Sequence, residues 1–407
     1  MKYVILLGDG MADEPMPELS GKTPLEAADT SRMDDLARRG ILGMVQTIPP
    51  GFPPGSDVAN LSVFGYDPAR CYSGRSPLEA ASMGVSLGSG DIAFRLNLVT
   101  LGSRGGTTVM DDFSAGHIST AEARLLIEAL QAELGGGEFA FHPGVSYRHL
   151  MVWKGGRDQL EFTPPHDITG QPVASFLPKG EGADALQRLA DSASRILTGH
   201  KVNLDRLAAG KPTANAIWLW GHGRAPKMET LQEKFGITGA VISAVDLIKG
   251  IGIYAGLDVI NVPGATGYID TDYEAKARYA LEALKTRDYI YVHVEAPDEA
   301  SHMGNLEEKI RAIENFDRLV VGTMMDGLPA LGDFRLLVLP DHPTPLARKT
   351  HTSNPVPFVL FDSTLEAEGA RGTGRNIAYN EKAAESSEVF VESGHSLIDR
   401  LVKDRQF

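Results

Sequence analysis

Three aspartates each follow a short apolar run: Asp9 after Val4–Leu7, Asp298 after Tyr289–Val294 and Asp341 after Leu336–Leu339. Histidines stand near two of them. His302 comes four residues after Asp298, one helical turn on, while His342 and His351 follow Asp341. If the runs are strands of one open α/β sheet, their carboxyl ends share the edge beyond which ligands bind. Carboxylates gathered there in a low dielectric repel one another and need cations. Mixed carboxylate and imidazole donors suit Zn²⁺ or Mn²⁺ better than Ca²⁺. Asp9, Asp298, His302, Asp341, His342 and His351 are more ligands than one tetrahedral site takes. The expectation is therefore two divalent ions, about 3.5–4 Å apart as in phosphoryl-transfer centres. A single strand-end aspartate is commonly just a turn former or helix cap. The recurrence beside histidines sets these three apart, and the other eight of the eleven histidines lie outside this pattern.

A nucleophile is offered by Ser56. It ends the stiff run Pro49-Pro50-Gly51-Phe52-Pro53-Pro54-Gly55 and precedes the helical pattern Asp57–Ser62. At a helix N-terminus, backbone N–H groups and the dipole favour an incoming anion, and a metal-activated serine hydroxyl can attack phosphorus. The same placement also suits an ordinary N-cap.

The elements that must position these residues read as α/β. Val4–Leu7, Ala216–Trp220, Ala240–Val245, Val259–Val262, Tyr289–Val294, Leu336–Leu339 and Phe358–Phe361 are mostly unbroken apolar runs, the pattern of strands buried on both faces. Helical patterns such as Tyr273–Leu284 and Glu307–Met325 alternate with them, which predicts a mostly parallel central sheet flanked by helices. Residues 90–228 differ. Pro and Gly interrupt them often, and they hold Asp91–Thr100, a helix near Thr120–Leu134 and Tyr147–Trp153. The expected organisation is a core of residues 1–89 and 229–407 with a smaller inserted α+β domain at 90–228.

Composition narrows the partners. A net charge of −14 argues against nucleic acid and anionic membranes. It leaves open a small anionic substrate held by a local cluster of metals, Lys and Arg. The single cysteine, Cys71, excludes an internal disulfide and a cysteine metal site, and fits a reducing cytoplasm. The apolar N-terminal run is too short for a signal h-region, and no apolar stretch approaches the ~20 residues that span a bilayer. Oligomeric state is not legible.

Taken together, the chain resembles the cofactor-independent phosphoglycerate mutases of the archaeal-type branch, within the alkaline phosphatase superfamily. The matching segments run almost end to end: Gly8-Asp9-Gly10-Met11, Lys22–Ala28, Pro54–Asn60, Gly264-Ala265-Thr266-Gly267, Asp298–His302, and Asp341-His342-Pro343-Thr344 with His351. The resemblance implies an alkaline-phosphatase-like core and a glycolytic isomerase acting on a small phosphorylated carboxylate. It implies one metal on Asp9, Ser56, Asp341 and His342, and another on Asp298, His302 and His351, with Mn²⁺, Zn²⁺ or Mg²⁺ as the ions. Ser56 becomes a phosphoserine. Lys249 is similar to the family's phosphate-contacting lysine and counts as catalytic and substrate-binding. Arg148 and Arg224 are further candidates for the substrate's anionic groups.

Two stretches depart from the family's arginine-rich pattern: Asp111–His117 and Trp218–Arg224. A carboxylate wants arginine. The departure points to a different substrate, and the resemblance to a bacterial subgroup proposed to phosphorylate homoserine implies the alternative, a homoserine phosphotransferase that keeps the same metals and Ser56.

Overall fold

The computed structural model describes residues 1–367 and 377–403. The chain forms two compact units, one of residues Met1–Tyr72 and Lys227–Phe407, the other of Ser73–Pro226.

The first unit is built on eight strands: β1 (Lys2–Gly8), β2 (Ile41–Val45), β3 (Gly239–Ile242), β4 (Asp258–Val259), β5 (Tyr289–Val294), β6 (Phe334–Leu339), β7 (Val356–Asp362) and β8 (Phe390–Val391). Their order is β4-β3-β5-β1-β6-β7-β2-β8, and only β7 runs against the rest. β5 and β6 are buried at every position, as their unbroken apolar sequences require. They flank β1 on either side, with Gly8 opposite Val294 and Leu7 opposite Leu339. The three strand ends that lead to aspartates are therefore neighbours in register. The helical pattern at Glu307–Met325 is interrupted: Leu306–Asn315 passes into a π-turn at Phe316–Val321 before Gly322–Gly327. Buried Asp317 sits in that π segment and accepts from the backbone N–H groups of Met33 (2.7 Å) and Arg32 (3.1 Å), so the wider turn serves the start of the Ser31–Arg39 helix.

The second unit is antiparallel. The long strand Ile92–Arg104 pairs with Arg148–Trp153 on one side and Ala216–Gly223 on the other, with Thr107–Asp112 and Phe139–Val145 extending the sheet. Phe94, Leu96 and Leu98 face the helices Thr120–Leu134 and Ala183–Gly199 and form the core with Leu126, Ile127 and Leu189. On the opposite face the Ser76–Ser82 helix packs Ala80 against Ala93, Leu150 and Val152. That packing is why this unit begins at Ser73 rather than near residue 90.

Candidate metal centre

The helix Ser56–Val63 is capped by the extended residue Gly55, so Ser56 is its first helical residue and its side chain caps nothing. Instead Ser56 Oγ lies 3.1 Å from His342 Nε2. Asp9, Asp341 and His342 are fully buried around it. Asp341 Oδ1 accepts from the backbone N–H groups of His342 (2.9 Å) and Gly10 (3.2 Å), and Oδ2 accepts from Asn60 Nδ2 (2.8 Å). Gly10 has φ +63°, and a Cβ there would stand 2.6 Å from Asp298 Oδ1 and 2.7 Å from Thr344 Oγ1. Only glycine allows the first strand's loop to come this close.

A second group adjoins the first. Asp298, on the Ala296–His302 helix, lies 3.1 Å from His302 Nε2 and 3.5 Å from His351 Nε2. His302 Nδ1 donates to the Lys349 carbonyl (3.0 Å), which fixes the ring and turns Nε2 inward, 2.9 Å from His351 Nε2. Thr344 Oγ1 donates to Asp298 Oδ1 at 2.5 Å. All six aspartate and histidine candidates are thus drawn together with Ser56. Donor atoms of Asp9, Asp341 and His342, and of Asp298, His342 and His351, converge within 4.8 Å in each set.

Electrostatics test whether cations fit. Burial, then Asp341, pushes the Asp9 carboxyl well above the usual range, and its Oδ1 has no hydrogen-bond partner. Burial, then Asp298, pushes Glu295 up to about 8, and its Oε2 is also unpartnered. Burial likewise raises Asp298, but hydrogen bonds to His302 and His351 outweigh it and hold its carboxyl well below the ordinary value. The Asp298 bond pushes His302 up to about 9. Orphaned buried carboxylate oxygens beside inward-turned imidazoles suit divalent cations.

His293, on β5, is one of the eight histidines outside the sequence pattern, yet it touches the centre. Its Nε2 lies 2.9 Å from Asp9 Oδ2. Ser243 Oγ accepts from Val245 N–H (2.9 Å) and lies 3.2 Å from His293 Nδ1, which holds the ring from its other side. His293 thus packs its ring nitrogen directly against the Asp9 carboxyl and orients it. Burial pushes its imidazole down to about 3. Asn60 is a second residue missed: Tyr291 Oη donates to its Oδ1 (2.6 Å) while its Nδ2 holds Asp341.

The cationic candidates separate. Lys249 Nζ lies 3.5 Å from Asp246 Oδ1, and among the described residues no hydrogen bond joins it to the six candidate ligands. Arg148 and Arg224 belong to the second unit. Arg224 is engaged there by Asp158 (2.6 Å) and the carbonyls of Gly90 (3.0 Å) and Gly156 (3.3 Å). Arg148 is exposed over the Tyr147 ring and forms no ion pair among the described residues.

Comparison with known proteins bears on this centre. The family model described as 2,3-bisphosphoglycerate-independent phosphoglycerate mutase matches residues 37–203. A Geobacter sulfurreducens protein named as a probable 2,3-bisphosphoglycerate-independent phosphoglycerate mutase is 60% identical over 99% of this chain and 100% of its own length. The chain belongs to the 2,3-bisphosphoglycerate-independent phosphoglycerate mutase family. A Methanosarcina acetivorans relative of the same name is 52% identical, again over 99% of this chain and 100% of its own length. Among solved structures, a cofactor-independent phosphoglycerate mutase from Thermoplasma acidophilum aligns at TM-score 0.69 and 27% identity, covering 98% of this chain and 99% of that one. A Pyrococcus horikoshii protein aligns at TM-score 0.81 and 30% identity, covering 98% and 97%. The α/β fold is therefore that of the mutase family, and nothing in these relatives favours the homoserine alternative. Among the described residues no helix is long and apolar enough to cross a membrane.

Proposed function

We propose that this chain interconverts 2- and 3-phosphoglycerate without free bisphosphate, carrying the phosphoryl group on Ser56. The observation that supports this most directly is Ser56 Oγ at 3.1 Å from His342 Nε2, in a chain 60% identical to a protein named for that activity. Asp9, Ser56, Asp341 and His342 would hold one divalent ion, and Asp298, His302 and His351 the other, with Mn²⁺ or Zn²⁺ best suited to the imidazoles and Mg²⁺ less so. Such ions, when bound, lower the serine pKa and neutralise charge on the transferring group.

The chain's own residues do the rest. Ser56 Oγ forms a bond to phosphorus as the bond from phosphorus to the substrate oxygen breaks, and the proton that Ser56 loses ends on that oxygen, leaving a phosphoserine and glycerate. The N-terminus of the Ser56–Val63 helix, where its dipole is positive, would favour the transferred anion. The glycerate then presents its other hydroxyl, which takes the phosphoryl group from Ser56. Lys249 and Arg148 are assigned to the substrate's anionic groups, and residues 73–226 to substrate recognition. A reducing cytoplasm suits a chain whose cysteine, Cys71, is free. The test is the purified protein with 3-phosphoglycerate and Mn²⁺ but no bisphosphate, followed by ³¹P NMR. Formation of 2-phosphoglycerate is expected; none at any metal loading overturns the proposal, and faster release of inorganic phosphate points to a hydrolase.

A further inference from the structure

A buried lysine stands beneath the metal centre. Lys309, on the Leu306–Asn315 helix, has a side chain with no exposed surface, and the Asp13 carboxylate that it meets at 2.8 Å is only 2% exposed. An ammonium carries three donors, and three oxygens surround this one: Asp13 Oδ2 (2.8 Å), the Thr344 carbonyl (3.0 Å) and the Ala12 carbonyl (3.4 Å). Ala12 and Asp13 lie in the loop that leaves β1 after Asp9. Thr344 lies in the loop that leaves β6 after Asp341 and His342. One side chain thus bridges the two loops that bring Asp9, Asp341 and His342 together.

Its partners are themselves fixed. Asp13 Oδ2 also accepts from Leu346 N–H (3.1 Å), and Oδ1 accepts from Glu14 N–H (2.7 Å). The Asp13 N–H donates to Glu381 Oε1 (3.0 Å), whose other oxygen accepts from Thr23 Oγ1 (2.7 Å). The carboxylate is therefore held from several sides and stays on Lys309. Thr344 is held at three points: its N–H donates to the Ala12 carbonyl (3.1 Å), its carbonyl accepts from Lys309, and its hydroxyl donates to Asp298 Oδ1 (2.5 Å). The third ligand-bearing segment is tied in through Asn305. The Lys309 N–H donates to the Asn305 carbonyl (3.0 Å), and the Asn305 N–H donates to the carbonyl of Ala300 (2.9 Å), in the helix that carries Asp298 and His302. All three segments meet at Lys309 or at its hydrogen-bond partners, yet among the described residues no hydrogen bond joins Lys309 to any of the six candidate ligands.

A buried ion pair contributes little net stability, because desolvation of the two charges offsets their attraction. What it supplies is fixed direction. We propose that Lys309, with Asp13, is a positioning residue for the two-ion centre: it sets the gap between the Asp9 loop and the Asp341–His342 loop and, through Thr344, the placing of Asp298. This role rests on the two-ion reading of that centre. Ligand distances in a metal site hold to within about 0.2 Å, so a gap that drifts further weakens the ions and misplaces them against Ser56.

The test compares wild type, Lys309→Met and the double variant Lys309→Met/Asp13→Asn. It uses calorimetric Mn²⁺ titration, urea unfolding and hydrogen exchange of the metal-free protein, and kcat and KM for 3-phosphoglycerate at saturating Mn²⁺. Lys309→Met leaves the Asp13 charge buried and alone, and is expected to lower the urea midpoint. The double variant removes both charges of the pair, so its midpoint is expected to return toward that of wild type. Its Mn²⁺ affinity is nevertheless expected to stay about 10–100-fold weaker. Its kcat is expected to be about 10–100-fold lower with KM within about threefold, because the pair touches no substrate. Exchange at the Thr344 N–H should accelerate in the double variant while that in β3 does not, a split that a general loss of stability does not produce. Wild-type Mn²⁺ affinity and kcat in the double variant, or a double variant that does not fold, makes the pair a packing element and overturns the assignment. Wild type that binds Mn²⁺ and turns over beside such a variant leaves the two-ion reading standing. Wild type that binds no Mn²⁺ sinks that reading, and the positioning role with it.

Discussion

The two units place function by different geometries. In the first, chemistry sits at the ends of strands: β1, β5 and β6 run parallel in register, so one edge receives Asp9, Asp298 and Asp341. In the second, polar and aromatic groups lie on a face: antiparallel partners put Arg95, Asn97, Arg148 and Trp220 on one side, beside the Ser76–Ser82 helix, with the Thr120–Leu134 and Ala183–Gly199 helices packed on the other. The first unit gathers carboxylates and imidazoles that call for cations. The second gathers guanidinium groups on aromatic rings, Arg95 over Trp220 and Arg148 over Tyr147. A net charge of −14 leaves room for a local site of the opposite sign in the first unit, where the buried carboxylates and imidazoles suit divalent cations.

The sharpest way to break this division is Ser56→Ala. Turnover is expected to fall on the order of 10³-fold or more, while metal analysis still finds bound ions and hydrogen exchange in the second unit is unchanged. Residual turnover within tenfold of wild type removes Ser56 from the chemistry. Chelation is the next largest perturbation. Stripping metals leaves Asp9 and Glu295 buried with orphaned oxygens, so activity is lost and hydrogen exchange accelerates around Gly10 and Asn60. Exchange in the Ile92–Asn97 strand should not change. Equal acceleration in both units contradicts the assignment of metals to the first alone.

A smaller effect tests a residue that binds no substrate. Asn60 bridges Tyr291 Oη and Asp341 Oδ2. Asn60→Ala frees Asp341 to rotate and leaves the buried Tyr291 hydroxyl unpaired. Metal affinity is expected to fall about 10–100-fold, with a stability cost of about 1–3 kcal/mol. Calorimetric metal titration with urea unfolding checks both. Wild-type affinity in a destabilised variant makes Asn60 purely structural.

How much of this was legible follows from the same contrast. A strand end is a sequence feature: an apolar run stops, and the next polar residue is at the edge. Asp9, Asp298 and Asp341 were readable for that reason, and so was the helix that carries Ser56. A cross-strand neighbour is not a sequence feature. His293 lies inside the apolar run of β5 and reads as a core residue. It reaches Asp9 because Leu7 pairs with His293, two residues before the aspartate. Arg95 likewise lies within an apolar strand, and its partners Glu79, Arg148 and Trp220 are distant in the chain. Reading for arginines near residues 111–117 and 218–224 found none but Arg224, which is bound to Asp158. The Ser76–Ser82 helix went to the wrong side of the expected boundary because its attachment, Glu79 to Arg95 and Ala80 to Ala93, is tertiary.

The mildest prediction concerns pH, where the units carry opposite signs. In the first, burial pushes the Glu381 carboxyl up to about 7. Its contribution is present at low pH and is lost as pH rises from 4.5 through 7. In the second, His149 is 4% exposed, accepts from Gly144 N–H (3.0 Å) and has an unpartnered Nε2. Burial pushes its imidazole down to about 3. Below pH 6.5 the unfolded chain takes up a proton that the native unit refuses, so stability is full above 6.5 and falls as pH drops toward 3. At pH 5 the loss is about 2 kcal/mol. His149→Gln keeps an acceptor for Gly144 and removes the titration. Urea unfolding at pH 7.5 and pH 5, followed through the tryptophans, all of which lie in the second unit at positions 153, 218 and 220, should show wild type losing about 2 kcal/mol more than the variant. Equal losses in both proteins would mean that His149 opens to water before it is asked to charge, and that the helix-packed face it shares with Leu96 is less firmly packed than its register implies.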